Sequence, residues 1–179
     1  EDLKKPLAFI RLFTRPNWKS WLVKGAWVIN AFVVLMVASL ILRWYEMNAA
    51  ADAVRWMGAI AGAAVAGYTA FLFAQCEGRD LWQSTLLLPH LLVQAVLCGA
   101  VVLIPFQSTH GPLWIVAIAA ALVHGGLALM ERNRHHATDN ANQGAAFLGV
   151  VRLGPLRPWF DGLILSVIVT GIVAVVVPL

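Results

Sequence analysis

Residues 86–106 read LLLPHLLVQAVLCGAVVLIPF, a stretch with no Asp, Glu, Lys or Arg. About 20 such residues coiled as an α-helix cross the roughly 30 Å hydrocarbon core of a bilayer. Apolar and polar residues do not alternate along it, so it is not a strand of a transmembrane barrel. Four further runs share this character: residues 20–42, interrupted by Lys24 and Asn30, then 56–75, 113–130 and 159–179. The expectation is an all-α integral membrane protein, a transmembrane helix bundle with about five spans. Composition agrees, since the 179 residues are 60% hydrophobic and 12% charged, with a mean hydropathy of +0.77. A water-soluble domain is about a quarter charged, and this chain has too little polar surface to clothe one.

The charges lie between and beside the spans. Residues 1–19 mix Leu7, Phe9, Ile10, Leu12 and Phe13 with Lys4, Lys5, Arg11 and Arg15. This suits a basic segment lying in the lipid interface ahead of a bundle that fills 20–179. With five spans, eleven of the 13 Lys and Arg fall on one side and only Arg43 and Arg55 on the other, which makes the rich side cytoplasmic by the positive-inside rule. The basic residues flank apolar runs instead of forming a stripe with interleaved aromatics, which argues against nucleic-acid binding. Trp18, Trp44, Trp56, Trp114 and Trp159 fall near span ends, as interfacial indoles do. Cys76 and Cys98 are too few for a disulfide framework or a four-thiolate metal site. The chain opens on Glu1 without a signal-peptide pattern and reads as a piece of something longer. The small residues of Gly58-Ala-Ile-Ala-Gly62-Ala-Ala-Val-Ala66-Gly67 suit close helix packing.

Polar side chains inside the spans are costly in hydrocarbon and therefore mark functional candidates. They recur at helical spacing: Tyr68 and Gln75 seven apart, His90 and Gln94 four apart, His124 and Glu131 seven apart. Gln75, His90 and Glu131 fall near the basic side, with Tyr68 deeper. Such a set fits a lateral pocket for a quinone, whose two carbonyls accept hydrogen bonds and which exchanges two protons with two electrons. Histidine can move those protons near neutral pH, and tyrosine can donate to a carbonyl. Each residue also has a plainer reading as an interhelical hydrogen bonder, a helix end or a solvated loop residue; for residues 131–139 that reading exposes His135 and His136. Spacing alone makes His124 and Glu131 a candidate proton route to the surface.

Three segments carry a more specific signal. Residues 15–27, RPNWKSWLVKGAW, lead into a span. Residues 68–75, YTAFLFAQ, are followed by GRDLWQSTLLLPH at 78–90, and residues 131–139 read ERNRHHATD ahead of Arg152-Leu-Gly. In this order they resemble the NrfD, or polysulfide-reductase membrane-subunit, family. The chain departs from the family in having Ala70 where glycine is commoner and in lacking a Pro-Met at the opening motif. The resemblance implies a larger bundle of about eight to ten helical spans, helical because lipid leaves no other partner for the backbone, of which this chain is the middle. It implies a multi-pass subunit of a bacterial or archaeal cytoplasmic membrane that exchanges electrons between menaquinone or ubiquinone and a ferredoxin-like iron–sulfur subunit. A molybdopterin or multihaem catalytic subunit lies beyond, and no haem or iron–sulfur cluster is expected in this chain. It further implies Tyr68 and His90 as quinone headgroup contacts, with Gln75, Asp80 and Glu131 polarising the site or relaying protons and Asp139 a further relay candidate. The basic N-terminal segment and residues 78–82 become partner contacts.

Three other readings compete. A haem-b subunit would use His90 and His124 as axial ligands, although bundles with two haems need more such histidines. A transporter would show repeats and unwound spans, of which only Gly99 and Gly125-Gly126 give a hint. A purely structural anchor would touch no quinone.

Overall fold

The computed structural model describes residues 14–76, 78–106, 111–148 and 156–176. The interfacial reading of residues 1–13, the Arg152 position and the end of the fifth run at 177–179 lie outside these. The described residues are helical, with no strand among them. In order they form α1 (Trp21–Trp44), α2 (Asn48–Ala74), a 3₁₀ turn (Asp80–Gln83), α3 (Leu87–Leu103) running into a second 3₁₀ turn (Ile104–Phe106), α4 (Pro112–Asn133), α5 (Asp139–Leu148) and α6 (Arg157–Val176). Four stretches are long and apolar enough to cross a membrane: α1, α2, Leu87–Phe106 and α4. α6 occupies the place of the fifth run. The chain divides into two compact units, one through Leu72 and one from Phe73.

In the first unit α1 and α2 form a hairpin. Glu46 takes the left-handed conformation, φ 59°, and the chain reverses through Glu46 N–H to Arg43 O and Met47 N–H to Leu42 O. This pair of bonds is a Schellman closure, which satisfies the last carbonyls of α1. α2 begins at Asn48, eight residues before the apolar run, in an alanine-rich turn that favours helix, and Asp52 there is paired with Arg43 at 2.8 Å and with Arg55 at 3.2 Å. The small residues of α2 then serve helix packing: Gly58 faces Met36, and Gly62 faces Phe32. Gly25 of α1 in turn admits the ring of Tyr68, which a Cβ there would strike. Trp21 stacks on Phe71 with ring centroids 4.4 Å apart.

In the second unit α3 packs along α4, and α4 also meets α5 and α6. α3 and α4 run in opposite directions, since Ser84 and His90 at the start of α3 reach Glu131 and His124 near the end of α4. Pro89 sits in the first turn of α3, where its missing N–H costs no helical bond. Pro112 starts α4 in the same way. The buried hydrophobic positions are small, Ala100, Ala117, Ala120, Ala141 and Ala145, so the helices approach closely. Long side chains turn outward: Ile60 is 74% exposed, Ile115 71% and Leu163 66%. An apolar exterior over a small-residue interior is what lipid solvation allows and water does not.

Candidate functional site

The second unit gathers its polar residues at one end and leaves an apolar hollow beneath them. The hollow, about 400 Å³, lies among α3, α4 and the first turns of α6. Leu97, Ala121, Gly125, Ala128, Trp159 and Ile164 contribute to its wall. His124 is its one ionisable lining residue among the described residues. Alanines and glycines on α4 leave the space that α6 bounds with Trp159 and Phe160, so the cavity follows from the small residues of α4 at positions 121, 125 and 128.

His124 also touches His90. The two rings meet edge to face, with centroids 5.0 Å apart and planes at 86°. Nδ1 of His124 is buried and has no hydrogen-bond partner among the described residues. An orphaned ring nitrogen in an apolar wall is costly, and a ligand carbonyl reaching it would remove that cost, with the ring carrying its proton there.

Above the hollow, Glu131 in the last turn of α4 anchors a polar cluster. Ser84 Oγ donates to Glu131 Oε2 at 2.8 Å and accepts from Leu86 N–H at 3.1 Å. His136, only 4% exposed, places Nε2 3.0 Å from the main-chain carbonyl of Glu131 and Nδ1 3.5 Å from Oε1. Its backbone is clasped by Asn142 of α5: His136 N–H donates to Oδ1 at 2.7 Å, and Nδ2 donates to His136 O at 3.1 Å. Thr138 caps α5 by accepting from Ala141 N–H at 3.2 Å and donates its hydroxyl to Asp80 Oδ2 at 2.7 Å. Ala141 and Ala145 turn inward, and Gly144 sits close to Leu81.

A second charged group closes the α4–α6 side. Arg132, its side chain 7% exposed, pairs with Asp161 at 2.5 Å, and Arg157 reaches the same carboxylate at 3.2 Å. The Arg132 guanidinium also lies over the Phe160 ring, 4.9 Å from its centroid.

The structure therefore brings together His90 with His124, Glu131 with Ser84 and His136, and Asp80 with Thr138. Tyr68 belongs to the first unit, against Gly25. Gln75 is exposed on the turn after α2, and Asp139 is exposed as the first residue of α5. His136 is not the exposed loop residue of the plainer reading, because Asn142 and Glu131 hold it inward. The sequence reading named His136 only as an exposed loop residue and did not single out Ser84, Asn142 or the Arg132–Asp161 pair. The i,i+4 spacing of Arg157 and Asp161 and the Thr138-Asp139 cap were the available signals.

Compared with known protein families, residues 1–177 match the family described as Polysulphide reductase, NrfD. The chain belongs to the NrfD family. No curated protein and no solved structure matches it. NrfD proteins are multi-pass membrane subunits of respiratory oxidoreductases and work with partner subunits, which accords with the apolar exterior of these helices.

Proposed function

We propose that this NrfD chain forms part of a quinone-reacting membrane subunit, with the quinone headgroup entering the hollow beside His124. The observation that carries this is the coincidence of an apolar cavity of about 400 Å³ with an imidazole whose buried Nδ1 lacks a partner. A quinone ring needs an apolar wall and a donor for its carbonyl; the hollow has such a wall with His124 in it, and a turn of that ring would bring the buried Nδ1 to a headgroup. His90, in edge-to-face contact with His124, positions that ring. Their direct edge-to-face contact favours a headgroup contact over a haem clasped between them.

In this reading quinol delivers two electrons and two protons, or a quinone takes them up. The electrons pass to or from a ferredoxin-like iron–sulfur subunit docked at the membrane surface, and through it a molybdopterin or multihaem subunit. The exposed loop around Arg79 and Trp82, whose guanidinium lies 4.2 Å over the indole ring, is a suitable contact for that partner. His124, Glu131, Asp80 and Asp139 are the proposed proton carriers, and the membrane is the cytoplasmic membrane of a bacterium or archaeon. Proton translocation is tested in vesicles bearing Glu131→Gln: reduced pumping at normal turnover supports the route, and unchanged pumping removes Glu131 from it.

The binding site itself is tested by fluorescence of the assembled complex. Addition of a quinone analogue should quench a component that Trp159→Phe removes and that Ala128→Phe, by filling the hollow, abolishes. Quenching identical in all three proteins would leave this chain as a structural anchor.

A further inference from the structure

His136 is more deeply buried than any other polar residue among the described residues, and the reading above gives it no task. Its hydrogen bonds constrain where its protons lie. The carbonyl of Glu131 can only accept, so Nε2, 3.0 Å away, carries a hydrogen. The other nitrogen, Nδ1, faces Glu131 Oε1 at 3.5 Å. Oε1 is buried and makes no hydrogen bond. Without a proton between them, the Nδ1 lone pair would face a carboxylate oxygen that is itself buried, an arrangement that is costly.

We infer that Glu131 and His136 form a proton-holding pair that shares one exchangeable proton between Oε1 and Nδ1. With that proton on Oε1 and donated toward Nδ1, the pair is neutral overall, a carboxylic acid against a neutral imidazole. Passing it to the surface leaves one net negative charge on Glu131, whose Oε2 keeps the Ser84 hydroxyl at 2.8 Å and has the Arg134 guanidinium at 4.0 Å. The remaining charged groups nearby are otherwise engaged. Arg134 donates to Thr85, Arg132 and Arg157 pair with Asp161 on α6, and Asp80 takes the Thr138 hydroxyl. His135 and Asp139 are exposed. The clasp of Asn142 fixes the His136 backbone, so α5 sets the Nδ1 to Oε1 separation.

This assignment rests on the quinone reading only for the origin of the proton, and its test is separable. In the intact complex, the infrared carbonyl band of a protonated carboxyl is assigned to Glu131 by its loss in Glu131→Gln, and its intensity is followed against pH. The pair predicts that His136→Gln, which keeps polar contacts but cannot titrate, shifts the midpoint of that band, while Ser84→Ala leaves it coupled to His136. A Glu131 band with the same midpoint with and without His136, or no such band at any pH, overturns the assignment. Where His136→Gln prevents assembly, Asn142→Ala, which frees the imidazole backbone without removing the ring, must still move the midpoint. Quinone turnover measured alongside separates the two ideas: coupling without any effect on turnover keeps the pair and removes it from the quinone's proton path.

Discussion

His90 and His124 touch edge to face across α3 and α4, with ring centroids 5.0 Å apart. The contact itself needs only an aromatic ring, whereas the chemistry proposed for the hollow needs the nitrogen of His124. His90→Phe should therefore retain the packing and part of the activity. His124→Phe should retain the packing and lower quinone-linked turnover on the order of a hundredfold, the usual scale for losing a proton-transfer group. Turnover of purified complexes with matched subunit content checks the ranking.

Gly25 and Gly58 both meet a side chain where a Cβ would go, but the neighbours differ. At Gly58 the obstacle is the terminal methyl of Met36, which can swing away; at Gly25 it is the stiff ring of Tyr68. Gly25→Ala should destabilise the first unit by about 1–3 kcal/mol, the usual range for overpacking, and Gly58→Ala by less. Thermal unfolding in detergent gives the order.

Arg132 is 7% exposed, whereas Arg43 and Arg55 are more than half exposed. Removing the carboxylate from the first leaves a charge in a poorly hydrated place, and removing it from the others leaves charges in contact with solvent. Asp161→Asn should lower the unfolding temperature more than Asp52→Asn does, and added salt should narrow the gap little. Equal shifts for the two would show that the Arg132 site is hydrated.

Thr138→Ala removes both the cap of α5 and the hydroxyl donated to Asp80. A lost N-cap costs about 1 kcal/mol, so amide exchange should quicken through residues 141–146 while α3 and α4 stay protected. Uniform acceleration across the second unit would mean that α5 does not open separately.

The bundle was legible because lipid-solvated helices leave long uncharged runs, as residues 86–106 do. The start of α2 was not: Asn48 to Arg55 carries Asp52 and Arg55 among its alanines, so it falls outside an uncharged run although alanine favours helix, and the pairing of Asp52 with Arg43 across the hairpin is a tertiary event. α5 was hidden for a different reason, since a ten-residue helix whose only large apolar residues are Phe147 and Leu148 at its end has no apolar stripe long enough to announce itself. Of the candidate site, the i,i+7 relation of His124 and Glu131 could be read directly from α4. The burial of His136 could not, because it depends on Asn142 arriving from another helix. The cavity wall was equally silent: Ala121, Gly125 and Ala128 matter through the space they leave, which becomes visible only when α6 lies beside them.

The most direct test of the quinone assignment is photolabelling of the intact complex with an azidoquinone, followed by peptide mapping. The account predicts label on α4 around His124 and on α6 between Trp159 and Ile164, lost when excess quinone competes and when Ala128→Phe fills the hollow. Competable label confined to other segments, with none on α4 or α6, would contradict it.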